Sequence, residues 1–80
     1  DYPLMARRRR LEGIVVLRFT ITASGQIKSQ SISRSSGHSI LDQAAKDTVN
    51  RVGRFPPLPG VLQQSQLTIE VPLAFRLVGG

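Results

Sequence analysis

Apolar and other residues alternate most regularly near the carboxyl end of the chain, over residues 67–77. Every second residue in this segment is apolar, which is typical of a strand with one buried face. Pro72 lies within the alternation, and its nitrogen has no hydrogen to donate to a neighbouring strand. We therefore predict an edge strand in which the nitrogen of Pro72 faces away from the neighbouring strand.

Pro72 also predicts which backbone groups face outward. Residues of one parity share a face of the sheet, and their N–H and C=O groups share an edge. The odd-numbered residues are expected to face the core and bond inward, whereas the even-numbered residues face water and bond outward. The outer edge is then a row of unpaired backbone groups, interrupted only at Pro72, to which another protein could add a strand. The alternative is an ordinary edge that Glu70, Pro72 and Arg76 protect from such pairing.

Two further strands are predicted upstream. Residues 14–22 are rich in β-branched and aromatic residues, and their continuous apolar start favours a central position in the sheet or cover on both faces. Residues 27–34 are more polar and are expected to be more exposed. Gly25 lies in the short segment between them and suits a tight turn, so the two strands should form an antiparallel hairpin.

A short helix is predicted to precede the hairpin. It begins near Pro3, where a missing N–H costs nothing, and runs to Arg10. Its expected inward contacts are Leu4, Ala6 and Leu11.

A second helix is predicted from an amphipathic stripe over residues 39–52. Ser39 and Asp42 approximate a capping box at its start, and Gly53 supplies a stop. The residues of the stripe are Leu41, Ala44, Ala45, Thr48, Val49 and Val52.

Residues 54–60 are rich in proline and are expected to form an extended connector held down by Phe55.

The order helix, strand, strand, helix, strand predicts an α+β fold in one domain over residues 1–80. The second helix reverses the chain, so pairing the last strand with the first gives a three-stranded antiparallel sheet of order 2-1-3 with two helices on one face. A chain of this length buries too little surface for a deep, enclosed active site. Since no apolar run is long enough to span a membrane, this piece alone is expected to be soluble.

Residue types that carry catalysis are nearly absent. The chain has no cysteine and one histidine, His38, and its acidic residues are scattered. We therefore predict no enzyme activity, no metal site and no cofactor. The Ser-Ser-Gly segment at 35–37 lacks the context of a nucleophile turn or a phosphate loop, so it is interpreted as a strand-to-helix turn.

A formal net charge of +6 and a run of four arginines, Arg7–Arg10, add other possibilities. The run favours either a solvated helix surface or a basic module that binds nucleic acid or an anionic surface. Aromatic residues for base stacking are few, and Phe19, Phe55 and Phe75 are expected in the core. A third possibility is self-association through the open edge, as a strand-paired or swapped homodimer.

Several short motifs, in their order and spacing, resemble the carboxyl-terminal domain of TonB-type energy transducers over essentially the whole chain. They are Tyr2-Pro3-x-x-Ala6-Arg7, Leu11-Glu12-Gly13-x-Val15-x-Leu17-x-Phe19-x-Ile21, Gly25-x-Ile27, Ser35-Ser36-Gly37, Leu41-Asp42-x-Ala44-Ala45, Phe55-Pro56-Pro57-x-Pro59 and Val71-Pro72-Leu73-x-Phe75.

The resemblance implies a periplasmic domain of a Gram-negative inner-membrane protein. A transmembrane helix that joins a motor of the ExbB and ExbD type, followed by a proline-rich linker, would precede residue 1. The domain would bind the TonB box of an outer-membrane receptor by strand addition, and force passed through that pairing would open the receptor for siderophores, haem or cobalamin. Nucleic acid is not among the implied partners. The implied binding residues are Gln66, Leu67, Thr68, Ile69, Glu70, Val71, Pro72, Leu73 and Ala74.

Overall fold

The computed structural model describes residues 2–57, 59–60 and 66–78. Its regular elements follow the predicted order, and the last strand ends two residues before the alternation does. They are helix α1 (Leu4–Arg8), strand β1 (Gly13–Thr22), strand β2 (Ile27–Arg34), helix α2 (Ser39–Val52) and strand β3 (Gln66–Phe75).

The three strands form one antiparallel sheet in the order β2-β1-β3, which confirms the prediction. β1 pairs with β3 without a register shift, from Gly13 opposite Phe75 to Thr22 opposite Gln66. Its pairing with β2 has two register shifts, between residues 16 and 17 and between residues 20 and 21. The β1–β3 pair is therefore the more regular half of the sheet.

The core lies on one face of the sheet, the face of the odd-numbered residues of β1. Both helices cover that face, because their buried residues belong to the same apolar cluster as those of the strands. The α+β fold with two helices on one face is thus confirmed. The buried members of the cluster are Ala6, Val15, Leu17, Phe19, Ile21, Leu41, Ala45, Val49 and Phe75.

Tyr2, rather than Leu4, ties α1 to the sheet. The Tyr2 ring packs edge-on against Phe75 with the ring centroids 5.4 Å apart, and its hydroxyl donates to the carbonyl of Leu11. Ala6 is fully buried, as expected, and Leu11 packs against the core. The expectation for Leu4 is wrong, since its side chain is 58% exposed. A helix of five residues presents little more than one turn to the sheet, and Ala6 occupies that position.

The predicted capping box of α2 is also wrong. The N-cap residue is His38, without a capping bond from its side chain, and Ser39 is already the first helical residue. Asp42 instead points back to the preceding loop, where its carboxylate accepts bonds from the Ser36 N–H at 2.9 Å and from the Ser36 and Ser35 hydroxyls at 2.7 and 2.5 Å. Residues 35–37 therefore form the strand-to-helix turn that the sequence predicts.

The end of α2 follows the prediction more closely. Gly53 adopts a positive φ of 72°, and its N–H donates to the carbonyl of Val49 at 3.3 Å. Val52 was placed on the apolar stripe, but it is 53% exposed at the last turn, so that position is wrong. Phe55 holds the following segment down, as expected, by stacking on Phe19 with the ring centroids 5.5 Å apart.

Candidate functional site

β3 is an edge strand, because the described part of the chain pairs it only with β1. Ten residues, Gln66–Phe75, form this strand. At the usual rise per residue, the strand presents an outer edge roughly 30 Å long. The position predicted from Pro72 is therefore confirmed, and Pro72 lies opposite Val16 within the paired region.

Hydrogen bonds of β1 establish which backbone groups of β3 face outward. The Val16 carbonyl accepts a bond from the Ser33 hydroxyl at 3.2 Å, and the Thr22 N–H donates to the Gln26 carbonyl at 2.8 Å. The even-numbered residues of β1 thus direct their backbone groups toward β2. Since even residues of β1 lie opposite even residues of β3, those pairs are the non-hydrogen-bonded ones of the β1–β3 ladder. The even residues of β3 consequently direct their backbone groups to the free side.

The free edge therefore offers a regular series of donors and acceptors. Gln66, Thr68, Glu70 and Ala74 each present an N–H and a C=O, whereas Pro72 presents only its C=O. An incoming strand would find one missing donor in the series. Backbone groups spaced in this way form hydrogen bonds with any extended peptide, and its side chains supply selectivity.

Contacts on the open face of the sheet hold β3 in register with its neighbours. Arg18 forms an ion pair with Glu70 at 2.8 Å, and the Thr20 and Thr68 hydroxyls are 3.0 Å apart. The Lys28 ammonium donates to the Gln66 side-chain carbonyl at 2.9 Å. These cross-strand pairs restrain the edge without using its outward backbone groups.

The carboxyl group of Glu70 is also the acidic group closest to the centre of the edge. The nearby Ser33 hydroxyl and the Arg18 guanidinium lower its pKa. Glu70 therefore carries its negative charge throughout the neutral pH range, although both partners are exposed and the pair contributes little to stability.

The odd-numbered residues of β3 from Ile69 to Phe75 anchor the strand to the core. Leu67, Ile69, Val71 and Leu73 are half-buried, and Phe75 is 8% exposed. One side of the strand is thus held by packing and by its pairing with β1, while the other side is open. This combination supports a rigid template for a second strand.

β2 is the other edge of the sheet, but it is a poorer template. Two register shifts interrupt its pairing with β1, and such irregularities twist an edge away from further pairing. The Gln30 side chain also donates to the Asn50 side-chain carbonyl of α2 at 2.8 Å, so the helix lies close to β2. β3, with ten residues in uninterrupted register, is the better candidate.

The four arginines of Arg7–Arg10 are exposed and lie away from the free edge. Arg7 and Arg8 end α1, Arg9 and Arg10 follow it, and this segment packs at the Phe75 end of β3. The segment after β3 returns to this region, where the Leu77 N–H donates to the Glu12 carboxylate at 2.7 Å. No local pattern in the sequence indicates this contact, because residues 65 positions apart meet only through the sheet pairing.

The described residues contain no group of three or more histidine, cysteine, aspartate or glutamate side chains able to hold a metal ion. Ser36, His38 and Asp42 do lie together. The Ser36 hydroxyl bonds with the Asp42 carboxylate and the His38 carbonyl, and these bonds join the loop after β2 to the start of α2. In the same described ranges, no helix has the length and apolarity needed to cross a bilayer.

Comparison with known proteins gives consistent matches. Residues 1–77 match the family described as Gram-negative bacterial TonB protein C-terminal. The chain is 36% identical over 77 residues to a TonB protein of Pseudomonas putida, covering 95% of the chain and 32% of that protein. It is 40% identical over 81 residues to a TonB protein of Vibrio cholerae, covering 98% and 32% respectively. The chain thus spans about a third of the length of these relatives.

A solved structure agrees with the sequence matches. The NMR solution structure of the Helicobacter pylori TonB-CTD superposes with a TM-score of 0.82 at 29% identity, over 100% of this chain and 71% of that one. The fold and the sequence therefore point to the same group of proteins.

Proposed function

The chain belongs to the Gram-negative bacterial TonB C-terminal family, and from that premise we propose that it is the receptor-binding domain of a TonB-type energy transducer. In this proposal, the free edge of β3 binds the TonB box of an outer-membrane receptor as an added strand. The domain works in the periplasm, and a segment before residue 1 connects it to the inner membrane and to a motor of the ExbB and ExbD type.

The free edge of β3 is the observation that carries the proposal. Its outward groups have no partner strand in the described part of the chain, although β3 is firmly paired on its other side. Thr68, Glu70 and Ala74 would exchange two backbone bonds each with a partner, whereas Pro72 would only accept. The binding residues are thus Gln66 through Ala74, with one gap in the ladder.

The pairing of β1 and β3 suits a domain that transmits force. Residues are paired in register from Gly13–Phe75 to Thr22–Gln66. A pull directed along the strands must break many of these bonds together, because each bond shares the load. A pulling force on the domain would therefore pass through the bound segment to the receptor before β1 and β3 separate. Opening of the receptor would then admit siderophores, haem or cobalamin.

Calorimetric titration with a receptor-derived box peptide tests this proposal. Ala74→Pro removes a second outward N–H and should weaken binding at least about fivefold, the value of roughly one hydrogen bond. Folding stability should change little, because that N–H has no partner in the free domain.

The matched control is Ala74→Val, which enlarges the same side chain but keeps the N–H. It should bind the peptide like the unmodified protein. Equal affinity of Ala74→Pro and the unmodified protein, with both fully folded, would contradict strand addition in this register.

A further inference from the structure

Exposed apolar and basic side chains gather at the end of the sheet where α1 packs. We call this surface the basic end. On it, Leu4 is 58% exposed, Met5 is 54% exposed and Val78 is 99% exposed. The other members of the basic end are Arg7, Arg8, Arg10, Arg76 and Leu77, which together with Leu4 and Val78 line an open groove of about 530 Å³ and the groove beside it.

The arginines of the basic end have no acidic partner in the described part of the chain. None of them forms an ion pair or a side-chain hydrogen bond with another described residue. Glu12, which lies near Arg76 and Leu77, already accepts the N–H of Leu77 at 2.7 Å. The chain as a whole carries a formal charge of +6, so this concentration of positive charge is not balanced elsewhere.

We infer that the basic end docks on an anionic lipid surface. Protruding apolar side chains beside arginines are the combination that binds such an interface, because the apolar groups enter the boundary of the acyl chains while the guanidinium groups pair with phosphates. Leu4, Met5 and Val78 are exposed to solvent and do not line an enclosed pocket. This arrangement suits insertion into a lipid boundary better than binding of a peptide side chain.

Nucleic acid fits this surface poorly. Proteins that bind single-stranded nucleic acid use aromatic side chains on which the bases stack. Tyr2, which lies beside Arg7 and Arg76, packs its ring against Phe75 and donates its hydroxyl to the Leu11 carbonyl. An acidic peptide is the remaining competitor, and the experiments below distinguish it.

Lipid docking goes beyond the proposed receptor binding. The basic end lies past the last residue of β3, whereas the free edge runs along the side of that strand. The two surfaces are distinct, so a domain attached to a membrane through the basic end would hold its receptor-binding edge close to that membrane.

Flotation with lipid vesicles tests the inference. The protein should bind vesicles of phosphatidylcholine mixed with phosphatidylglycerol and should not bind phosphatidylcholine alone. A variant with Arg7→Gln, Arg8→Gln and Arg10→Gln should lose on the order of a hundredfold in affinity, since each basic residue near an anionic surface contributes about fivefold.

The matched control removes the same charge elsewhere, through Arg34→Gln, Lys46→Gln and Arg54→Gln. It should keep most of the affinity. An equal loss in both variants would show that net charge alone drives binding, and it would overturn the inference. Failure of the unmodified protein to bind anionic vesicles would overturn it as well.

A fluorescence measurement tests insertion separately. The chain has no tryptophan, so Met5→Trp introduces a single reporter on the basic end and Ser29→Trp a control on the open face of the sheet. Anionic vesicles should shift the emission of Met5→Trp to the blue and leave that of Ser29→Trp unchanged. Absence of the Met5→Trp shift would overturn docking of the basic end on the lipid surface. An arginine variant that keeps its vesicle affinity but loses binding to an acidic receptor peptide would assign the surface to a protein partner instead. Binding of box peptides at β3 is measured independently, so neither result depends on the proposed function.

Discussion

Pro72 controls what the edge strand can offer to a partner. Its nitrogen carries no hydrogen, and its position opposite Val16 is a non-hydrogen-bonded one, so the sheet loses nothing by having proline there. A proline one residue earlier or later would remove a bond to β1. A single residue therefore indicates both the edge position of β3 and the direction of its backbone groups.

Gly25 is a residue of comparable importance for the fold. It has a φ of 93°, and a Cβ atom added to it would lie 1.9 Å from the carbonyl oxygen of Phe55. Its own carbonyl accepts the Phe55 N–H at 2.8 Å. The β1–β2 turn and the connector after α2 thus meet so closely that only glycine fits between them.

Gly25→Ala should therefore destabilise the protein by about 3 kcal/mol, from the unfavourable φ and from the displaced connector. Chemical denaturation measures this change. Gly37→Ala is the matched control, because Gly37 has a φ of 90° but a Cβ atom added to it would meet nothing within 4 Å, and it should cost only about 1 kcal/mol. Equal losses for the two substitutions would contradict the close contact at Gly25.

Asp42 links the loop after β2 to α2. Burial by itself would raise the pKa of its carboxyl, but the bonds from the Ser35 hydroxyl and from the Ser36 N–H and hydroxyl, with the charge of His38, lower the pKa below its usual value. A carboxyl whose pKa is lower in the folded state stabilises the protein above the unfolded pKa of about 3.9. That contribution is lost as the pH falls through the folded pKa.

Asp42→Asn should remove this contribution. We expect a loss of about 1 kcal/mol at neutral pH, because hydrogen bonds to a charged acceptor become bonds to a neutral one. The free energy of unfolding should also fall less steeply than in the unmodified protein below about pH 4. Denaturation at several pH values checks both effects, and an unchanged acid dependence would contradict the assigned role of Asp42.

The arrangement of the strands was predictable from the sequence, but the register between β1 and β3 was not. Period-two alternation identifies faces, and Pro72 identifies the edge, because both follow from backbone geometry. A tight turn joins β1 to β2 and limits their pairing, whereas β3 follows a long connector from α2, so the sequence leaves the register of β1 with β3 open. The Arg18–Glu70 ion pair depends on that register and was accordingly missed.

The predictions of an inward-facing Leu4 and of a capping box at the start of α2 failed for a related reason. A helix of five residues has too few turns for periodicity to distinguish the buried Ala6 from the exposed Leu4. At α2, the Ser39–Asp42 spacing matched a local motif, but Asp42 found partners in the preceding loop. In both cases tertiary contacts decided between local alternatives that the pattern could not separate.

Pro72→Ala tests the edge as an element. The substitution supplies the missing outward N–H and completes the ladder that a partner can use. Peptide affinity should rise about fivefold, the value of roughly one hydrogen bond. Removing the proline should lower folding stability by no more than about 1 kcal/mol, through the unfolded chain.

The same substitution should increase self-association, because an uninterrupted edge pairs more readily with a second copy. Sedimentation at increasing protein concentration measures this, and excess box peptide should reverse it by occupying the same edge. A Pro72→Ala protein that binds peptide more weakly than the unmodified protein would contradict the outward direction of residue 72.

At the scale of the whole molecule, two surfaces with different physics lie on one small domain. The edge of β3 offers uncharged backbone groups along the side of the sheet, and the basic end offers arginines and apolar side chains past its end. Binding at the edge should weaken only mildly with added salt, whereas binding through the arginines should weaken steeply. Salt dependence therefore assigns any ligand to one surface or the other.

The binding of a foreign strand along β3 is tested most directly by following backbone amide signals in NMR while a receptor-derived box peptide is added. The largest shifts should fall on residues 66–74, led by the outward amides of Thr68, Glu70 and Ala74, with smaller effects on β1. Shifts concentrated on Arg7–Arg10, or no shift along β3 at saturating peptide, would contradict binding at this edge.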